Sequence, residues 1–218
     1  MRAVLVVALA ALALPVTAEA RARARFSVRV DGQVQLSWQD NASFGGGCPT
    51  TIDSTGQETV AFRSSRPTVV GMRVAHGRVT FPPSMTIRAL AGGVSGAGSQ
   101  TTQTCNGATH ADLVCDAGPF RGGSARLAAP SPGRLRLSAL RGDGLPSRAP
   151  CLPDALRPAE FPPVSTALAR VDTRKLLRRK TSVLSASDQG IVRLDAEGET
   201  GFLARQIHWT LTFRRLAG

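Results

Sequence analysis

The chain has 218 residues and a formal net charge of +12, from 27 lysines and arginines against 15 aspartates and glutamates. It has no tyrosine and only two tryptophans, which argues against the aromatic platforms that bind single strands or sugars by stacking. Lys175 and Lys180 are the only lysines. A high positive charge can indicate a polyanionic partner. Here, however, nearly all of the charge comes from arginine, and alanine and glycine are abundant, which favours GC-biased codon usage as the explanation of the charge.

The N-terminus has the pattern of an export signal. Met1-Arg2 precede an unbroken apolar run over residues 3–14, and an Ala-x-Ala site ends at Ala20. This run is too short to span a bilayer comfortably, so we predict a signal peptide over residues 1–20; a retained membrane anchor is the alternative. No second long apolar run follows, so residues 21–218 are expected to form a single secreted β domain without a transmembrane anchor, in the cell envelope or outside the cell.

Four cysteines follow this signal, and two disulfides are the expected outcome in an oxidising compartment. The favoured pairs are Cys48 with Cys105 and Cys115 with Cys151, because the proline-dense loop around Cys151 needs an anchor and the glycine-rich loop at Cys48 can reach Cys105. A nested pairing stays open, because loop closure stabilises both arrangements by about 8 kcal/mol. His110 lies midway between Cys105 and Cys115, which suggests a metal site, but no pair has Cys-x-x-Cys spacing.

The first half of the chain reads as a series of strands. Residues 26–30 and 34–38 alternate, so Asp31-Gly32 is either a hairpin turn or a glycine bulge in one long strand. A long flexible loop is expected over residues 40–49. Further strands are predicted over 59–63, 69–74, 78–81 and 85–90. The glycine-rich residues 91–98 fit either a weak strand or a loop.

In the second half, prolines and glycines separate further strands. An exposed strand is expected over residues 99–105, and a hairpin joins 125–128 to 134–140. Prolines make regular structure unfavourable over 141–163. A strand is expected within 165–170, Asp172 can cap a short helical turn, and two more strands follow over 181–186 and 191–195.

The last strand, Gln206 to Arg215, has the clearest pattern. Ile207, Trp209, Leu211 and Phe213 fall on one face, which predicts an interior strand with one buried side. Such a strand requires more sheet and a second layer. We therefore predict an all-β, mainly antiparallel sandwich of about nine to twelve strands, with one short helical turn near Arg174; a closed barrel is the alternative.

The order of these features resembles that of uncharacterised secreted β proteins of high-GC bacteria. The resemblance covers most of the mature chain and implies no activity. It rests on Trp38, the glycine-rich loop at Cys48, the strand ending at Cys105, the segment from Asp112 to Asp116 around Cys115, the proline-framed Cys151 and the closing strand.

No catalytic, cofactor or metal site is predicted. His110 and Asp112 could form a base with its orienting carboxylate, but no Gly-x-Ser-x-Gly motif accompanies them, and His76 and His208 are expected to be solvated. Gly45-Gly46-Gly47 precede no phosphate-binding lysine. Carboxylates that could pair for glycoside hydrolysis all fall in predicted loops: Asp112, Asp116, Glu197 and Glu199.

The densest basic cluster could bind anionic polymers of the envelope. Its alternative is a solvated face over a buried Leu176 or Leu177. The favoured function is an exported, non-enzymatic binding or structural module of the envelope or extracellular space; the alternatives are polyanion binding and a hydrolase of envelope polymers. The cluster consists of Arg174, Lys175, Arg178, Arg179 and Lys180.

Export gives the first testable prediction. Mass spectrometry of the protein recovered outside the cytoplasm should find an N-terminus between Arg21 and Arg25, because small-x-small sites end at Ala20, Ala22 and Ala24. Exported protein that still begins at Met1 would contradict the cleavage.

Overall fold

The computed structural model describes residues 23–158, 161–163 and 167–217, so the expected signal peptide lies outside the described residues. Within them, no helix is both long and apolar enough to cross a membrane. One short helix, α1 (Thr173–Arg178), and a 3-10 turn at Asp154–Leu156 accompany eleven strands. The strands are β1 (Arg23–Phe44), β2 (Thr50–Ser64), β3 (Thr68–Ala75), β4 (Arg78–Thr80), β5 (Ser84–Thr104), β6 (Gly107–Val114), β7 (Gly118–Ser131), β8 (Arg134–Asp143), β9 (Ala169–Arg170), β10 (Thr181–Ala196) and β11 (Glu199–Arg215).

All strands belong to one antiparallel sheet, which runs in the order β10-β11-β1-β2-β5-β7-β8-β9. β3 pairs with β1 and β4, and β6 pairs with β5. The predicted all-β antiparallel sandwich with a short helical turn is confirmed, with both layers supplied by one sheet that folds over a shared core. The terminal strands β9 and β10 do not pair within the described residues, so the sheet is not closed and the barrel alternative is not observed.

The closing strand β11 lies between β1 and β10, as predicted. Ile207, Trp209, Leu211 and Phe213 are each no more than 1% exposed. Pairing with β1 runs without a register shift from Phe26 opposite Arg215 to Ala42 opposite Glu199. The inner faces of these two strands therefore form the centre of the core.

β1 is longer and more regular than the sequence suggested. It passes through Asp31-Gly32 with neither a turn nor a register shift. Gly32 is required because a Cβ there would lie 2.6 Å from both the His208 carbonyl oxygen and the tip of the Phe62 ring. The flexible loop expected over 40–49 is shorter than predicted: the strand continues to Phe44, because β2 and β11 on either side pair with its polar residues, and only residues 45–49 lie outside the strands.

The glycine-rich residues 91–98 belong to the interior of β5. The Trp38 indole extends from β1 across Gly56 of β2, where a Cβ would lie 2.4 Å from its ring, and toward Gly98 of β5, where a Cβ would lie 3.2 Å from it. These glycines leave the space that a large aromatic side chain fills. Residues 91–98, whose composition only weakly favours a strand, are therefore fully paired with β2.

Both favoured disulfides are formed, Cys48–Cys105 and Cys115–Cys151, with Cα separations of 5.8 and 5.2 Å. The second disulfide holds the proline-rich segment after β8 against the core. Ala149, Leu152 and Leu156 of that segment are buried. Of residues 141–163, which were predicted to be irregular, the first three belong to β8, and the rest of the described part is irregular apart from the 3-10 turn.

Burial of the closing strand gives the second prediction. Trp209→Ala should lower the free energy of unfolding by about 3 to 5 kcal/mol, because the fully buried indole leaves a large cavity. Phe202→Ala is the control, since Phe202 lies on the opposite face of β11 and is 37% exposed. Urea unfolding of both variants measures the difference, and equal losses would contradict an interior role for Trp209.

Candidate polyanion-binding surface

Helix α1 presents the basic cluster to solvent. Asp172 begins the helix by accepting hydrogen bonds at Oδ1 from the backbone N–H groups of Arg174 (3.1 Å) and Lys175 (3.0 Å). Leu176 points into the core, while all five predicted cations are exposed. Arg174, Lys175 and Arg178 lie on the helix, Arg179 and Lys180 follow it, and the exposed face covers the buried Leu176 that the alternative interpretation expected.

Arg215, which the sequence pattern did not connect with this cluster, joins it in the fold. Its backbone N–H donates to the carbonyl of Lys180 (2.9 Å), and its guanidinium donates to the carbonyl of Leu177. Arg178 and Arg179 line an open depression of about 310 Å³ together with Lys180 and Arg215. We call Arg215 and the five predicted cations the helix patch.

The outer face of the neighbouring strands carries more arginines. Strand pairing places Arg23 opposite Arg73, and Arg214 opposite Ser27. The helix patch and these arginines form what we call the basic end. Residues 23–30, 68–80, 173–187 and 211–217 there contain no aspartate or glutamate, and Asp31, Asp172 and Asp188 directly border these segments. The exposed arginines of the sheet at this end are Arg23, Arg25, Arg29, Arg73, Arg78 and Arg214.

Acidic residues collect at the opposite end of the sheet, formed by residues 38–44 of β1 and the strands that pair with them. Arg193 is the one cationic residue in the described strands and turns there. Burial, together with the nearby Glu199 carboxylate, raises the pKa of Asp40. The acidic residues of this end are Asp40, Asp53, Asp112, Asp195, Glu197 and Glu199.

Few of the cations at the basic end are neutralised. Lys175 lies 3.6 Å from Asp172, and the Lys175 backbone N–H that bonds this carboxylate keeps the pKa of Asp172 below its usual value. Within the described part of the chain, Arg174, Arg178 and Arg179 form no ion pair. The positive charge of the helix patch is therefore available to an external anion.

The candidate catalytic residues are solvated. His110 Nδ1 shares a 3.2 Å hydrogen bond with Thr101, and its Nε2 lies 3.5 Å from Asp112. However, the side chains of His110 and Asp112 are 60% and 90% exposed. Water therefore has free access to both groups. Both neighbouring cysteines are in disulfides, and no cluster of three metal-ligating residues occurs in the described residues.

The other sequence candidates are exposed, apart from the half-buried Glu199. His208 shares a 2.8 Å hydrogen bond with Ser187 on the outer face of the sheet, and His76 lies in the exposed turn between β3 and β4. Asp112 and Glu199 lie on β6 and β11 rather than in loops, which corrects their prediction. Asp116 accepts a 3.0 Å hydrogen bond from the backbone N–H of Gly96, which is a structural role.

Glu58 is a buried carboxylate that the sequence pattern had not singled out. It lies on the inner face of β2, is 1% exposed, and neither of its oxygens has a hydrogen-bond partner in the described structure. Burial raises its pKa to about 7, although the nearby backbone N–H of Cys151 partly offsets this effect. Extending the alternation of Val60 and Phe62 back along β2 would have placed Glu58 on this face.

Glu58 gives the third prediction. Because its pKa rises from 4.5 unfolded to about 7 folded, the native state binds the extra proton between these values. Its contribution to stability should fall by about 3 kcal/mol as the pH rises through that window. Glu58→Gln should remove this fall and raise the melting temperature at pH 8.

Glu197→Gln is the matched control, because Glu197 is exposed in the turn between β10 and β11. Unfolding free energies measured from pH 4 to pH 8 give the comparison. A difference between wild type and Glu58→Gln that does not change with pH would contradict a buried, protonated Glu58.

No protein-family model matches the sequence, and no curated protein matches it. Among solved structures the chain is similar to Ail, the attachment invasion locus protein of Yersinia pestis, with 6% identity over 87% of this chain and 99% of that chain. The TM-score is 0.16, and a likeness at this level carries no argument about fold or function.

Proposed function

We propose that this protein is an exported, non-enzymatic binding module that holds anionic polymers of the cell envelope or extracellular space at its basic end. The binding surface consists of the helix patch, extended by arginines of the adjoining sheet face. The protein binds the polymer backbone by charge and does not transform it.

The segregation of charge carries this proposal. A composition shaped by codon usage alone predicts arginines scattered among acidic residues. Instead, the segments of the basic end contain no aspartate or glutamate, although Asp31, Asp172 and Asp188 border them, and six other acidic residues lie toward the opposite end of the sheet. Unneutralised like charges repel one another, so an anion that binds among them gains more free energy than it would at an isolated arginine.

The residue types favour phosphate or sulfate groups along a chain. Arginine presents a planar set of donors that matches phosphate oxygens in a bidentate geometry. No tryptophan or tyrosine lies at the helix patch, so the patch supplies no stacking surface for bases or sugar rings. Linear phosphodiester polymers, which carry charge at regular spacing, fit this chemistry.

Two further features support an exported protein. The N-terminal segment has the composition of a signal peptide. All four cysteines are in disulfides, and such bonds persist in oxidising compartments.

The fourth prediction tests the helix patch with poly(glycerol phosphate), a linear phosphodiester polymer. Affinity should fall as salt rises, because binding releases counterions from the polymer. Substituting Arg174, Arg178 and Arg179 with serine should lower the slope of log affinity against log salt by about 0.7 for each phosphate that the variant no longer neutralises. Isothermal titration at several sodium chloride concentrations measures this slope.

A control with the same change in net charge separates the patch from overall charge. Arg121, Arg126 and Arg193 are exposed, lie on β7 and β10, and belong neither to the helix patch nor to the sheet arginines of the basic end named above. Their joint replacement with serine should leave the slope nearly unchanged. If the slope of log affinity against log salt fell equally in both triple variants, net charge alone would drive binding. That result would contradict the proposal.

A further inference from the structure

A cleft on the sheet face of the basic end has features that polymer binding does not require. It has a volume of about 590 Å³ and lies at the edge where β1, β3 and β4 pair. Arg23, Arg73 and Thr80 form its polar side, and Phe81, Pro82 and Pro83 form its apolar side. Its volume lies in the range of small-molecule sites.

The polar side consists of a row of three neighbouring residues. Arg23 is directly opposite Arg73, and Arg73 is directly opposite Thr80. Like charges directly opposite each other on a sheet are destabilising. Within the described residues neither arginine forms an ion pair, so an anion between them would relieve this repulsion, and the Thr80 hydroxyl adds a neutral donor.

The apolar side is held rigidly against the core. The Phe81 ring packs edge-on against Phe213, with centroids 6.0 Å apart, and Phe213 packs in turn against Phe26 at 6.4 Å. The two prolines that follow Phe81 restrict the backbone there. The cleft therefore presents a fixed apolar wall beside a pair of cations, an arrangement that suits an amphipathic anion.

Gly71 provides open space within the cleft. It lies on β3 opposite Arg25, and a Cβ built on it would have no atom within 4 Å. Its backbone is not in the left-handed region, so a side chain at this position enters the cleft without straining the strand.

We infer that this cleft binds a phosphate ester whose phosphate lies between Arg23 and Arg73 and whose apolar group lies against Phe81, Pro82 and Pro83. The ligand class is a phosphate monoester or diester with an attached alkyl group, as in a lipid headgroup. The site is separate from the helix patch and does not depend on polymer binding there.

Hexyl phosphate is the probe. Inorganic phosphate and hexanol are the control ligands, because each contains only one of the two groups that the cleft is proposed to bind. Titrations followed by amide NMR shifts should show hexyl phosphate binding about tenfold more tightly than inorganic phosphate, because the alkyl group leaves water. Shifts should centre on β3, β4 and Phe81. Equal affinity for inorganic phosphate, or equal affinity for hexanol, would overturn the inference.

Variants test the location. Arg73→Gln should weaken hexyl phosphate binding about tenfold, since it removes a charge-assisted hydrogen bond, and Gly71→Glu should abolish it by placing a carboxylate in the cleft. Arg29→Gln removes the same charge from the sheet face outside the cleft and should change affinity less than twofold. A cooperative melt for each variant establishes that it is folded, and unchanged binding by folded Gly71→Glu would contradict the site.

Polymer binding at the helix patch and phosphate ester binding in the cleft can be contradicted independently of each other. Serine at Arg174, Arg178 and Arg179 should leave hexyl phosphate binding intact while weakening poly(glycerol phosphate) binding. Loss of hexyl phosphate binding in that triple variant would show that the phosphate ester binds at the helix patch rather than in the cleft.

Discussion

The pairing of β1 with its neighbours is the constraint on which the rest of the structure depends. One edge of this 22-residue strand pairs with β11, and the other edge is shared by β2 and β3. Because side chains alternate between faces, a slip of one residue would turn Phe26, Leu36 and Trp38 out to solvent and bury polar residues. This register also sets which arginines face outward, so the core and the basic sheet face are fixed together.

Features with strong alternation could be predicted from the sequence. The closing strand, the cap at Asp172 and the all-β class all follow from local pattern and composition. The disulfide pairs followed from which segments needed an anchor. For the closing strand and the cap, the physical signal lies within a few residues of the feature it determines.

The misjudged segments depended on neighbours distant in sequence. Residues 40–44 have the composition of a loop, but β2 and β11 on either side pair with their backbone. Residues 91–98 lack side chains that favour strands, yet their glycines make room for Trp38 and Phe120. Composition describes what a segment prefers alone, and here tertiary pairing outweighed that preference.

The candidate site was predictable only in part for the same reason. Arg174 to Lys180 are contiguous and were found, whereas Arg215 joins them through hydrogen bonds with Leu177 and Lys180. The cleft joins residues from β1 and β3 with the segment around β4. Their proximity is a consequence of strand order, which no local pattern encodes.

The pairing of the first strand with the last also has a consequence for biosynthesis. β1 is made first, but its β11 edge stays unpaired until the final residues emerge, about 10 to 40 s later at usual elongation rates. An unpaired edge with a strongly apolar face invites association with other chains. Arg23, Arg25 and Arg29 alternate with the apolar residues of this strand and act as gatekeepers during that delay. The same arginines that give the finished protein its basic face thus place positive charge on this strand while its edge is still unpaired.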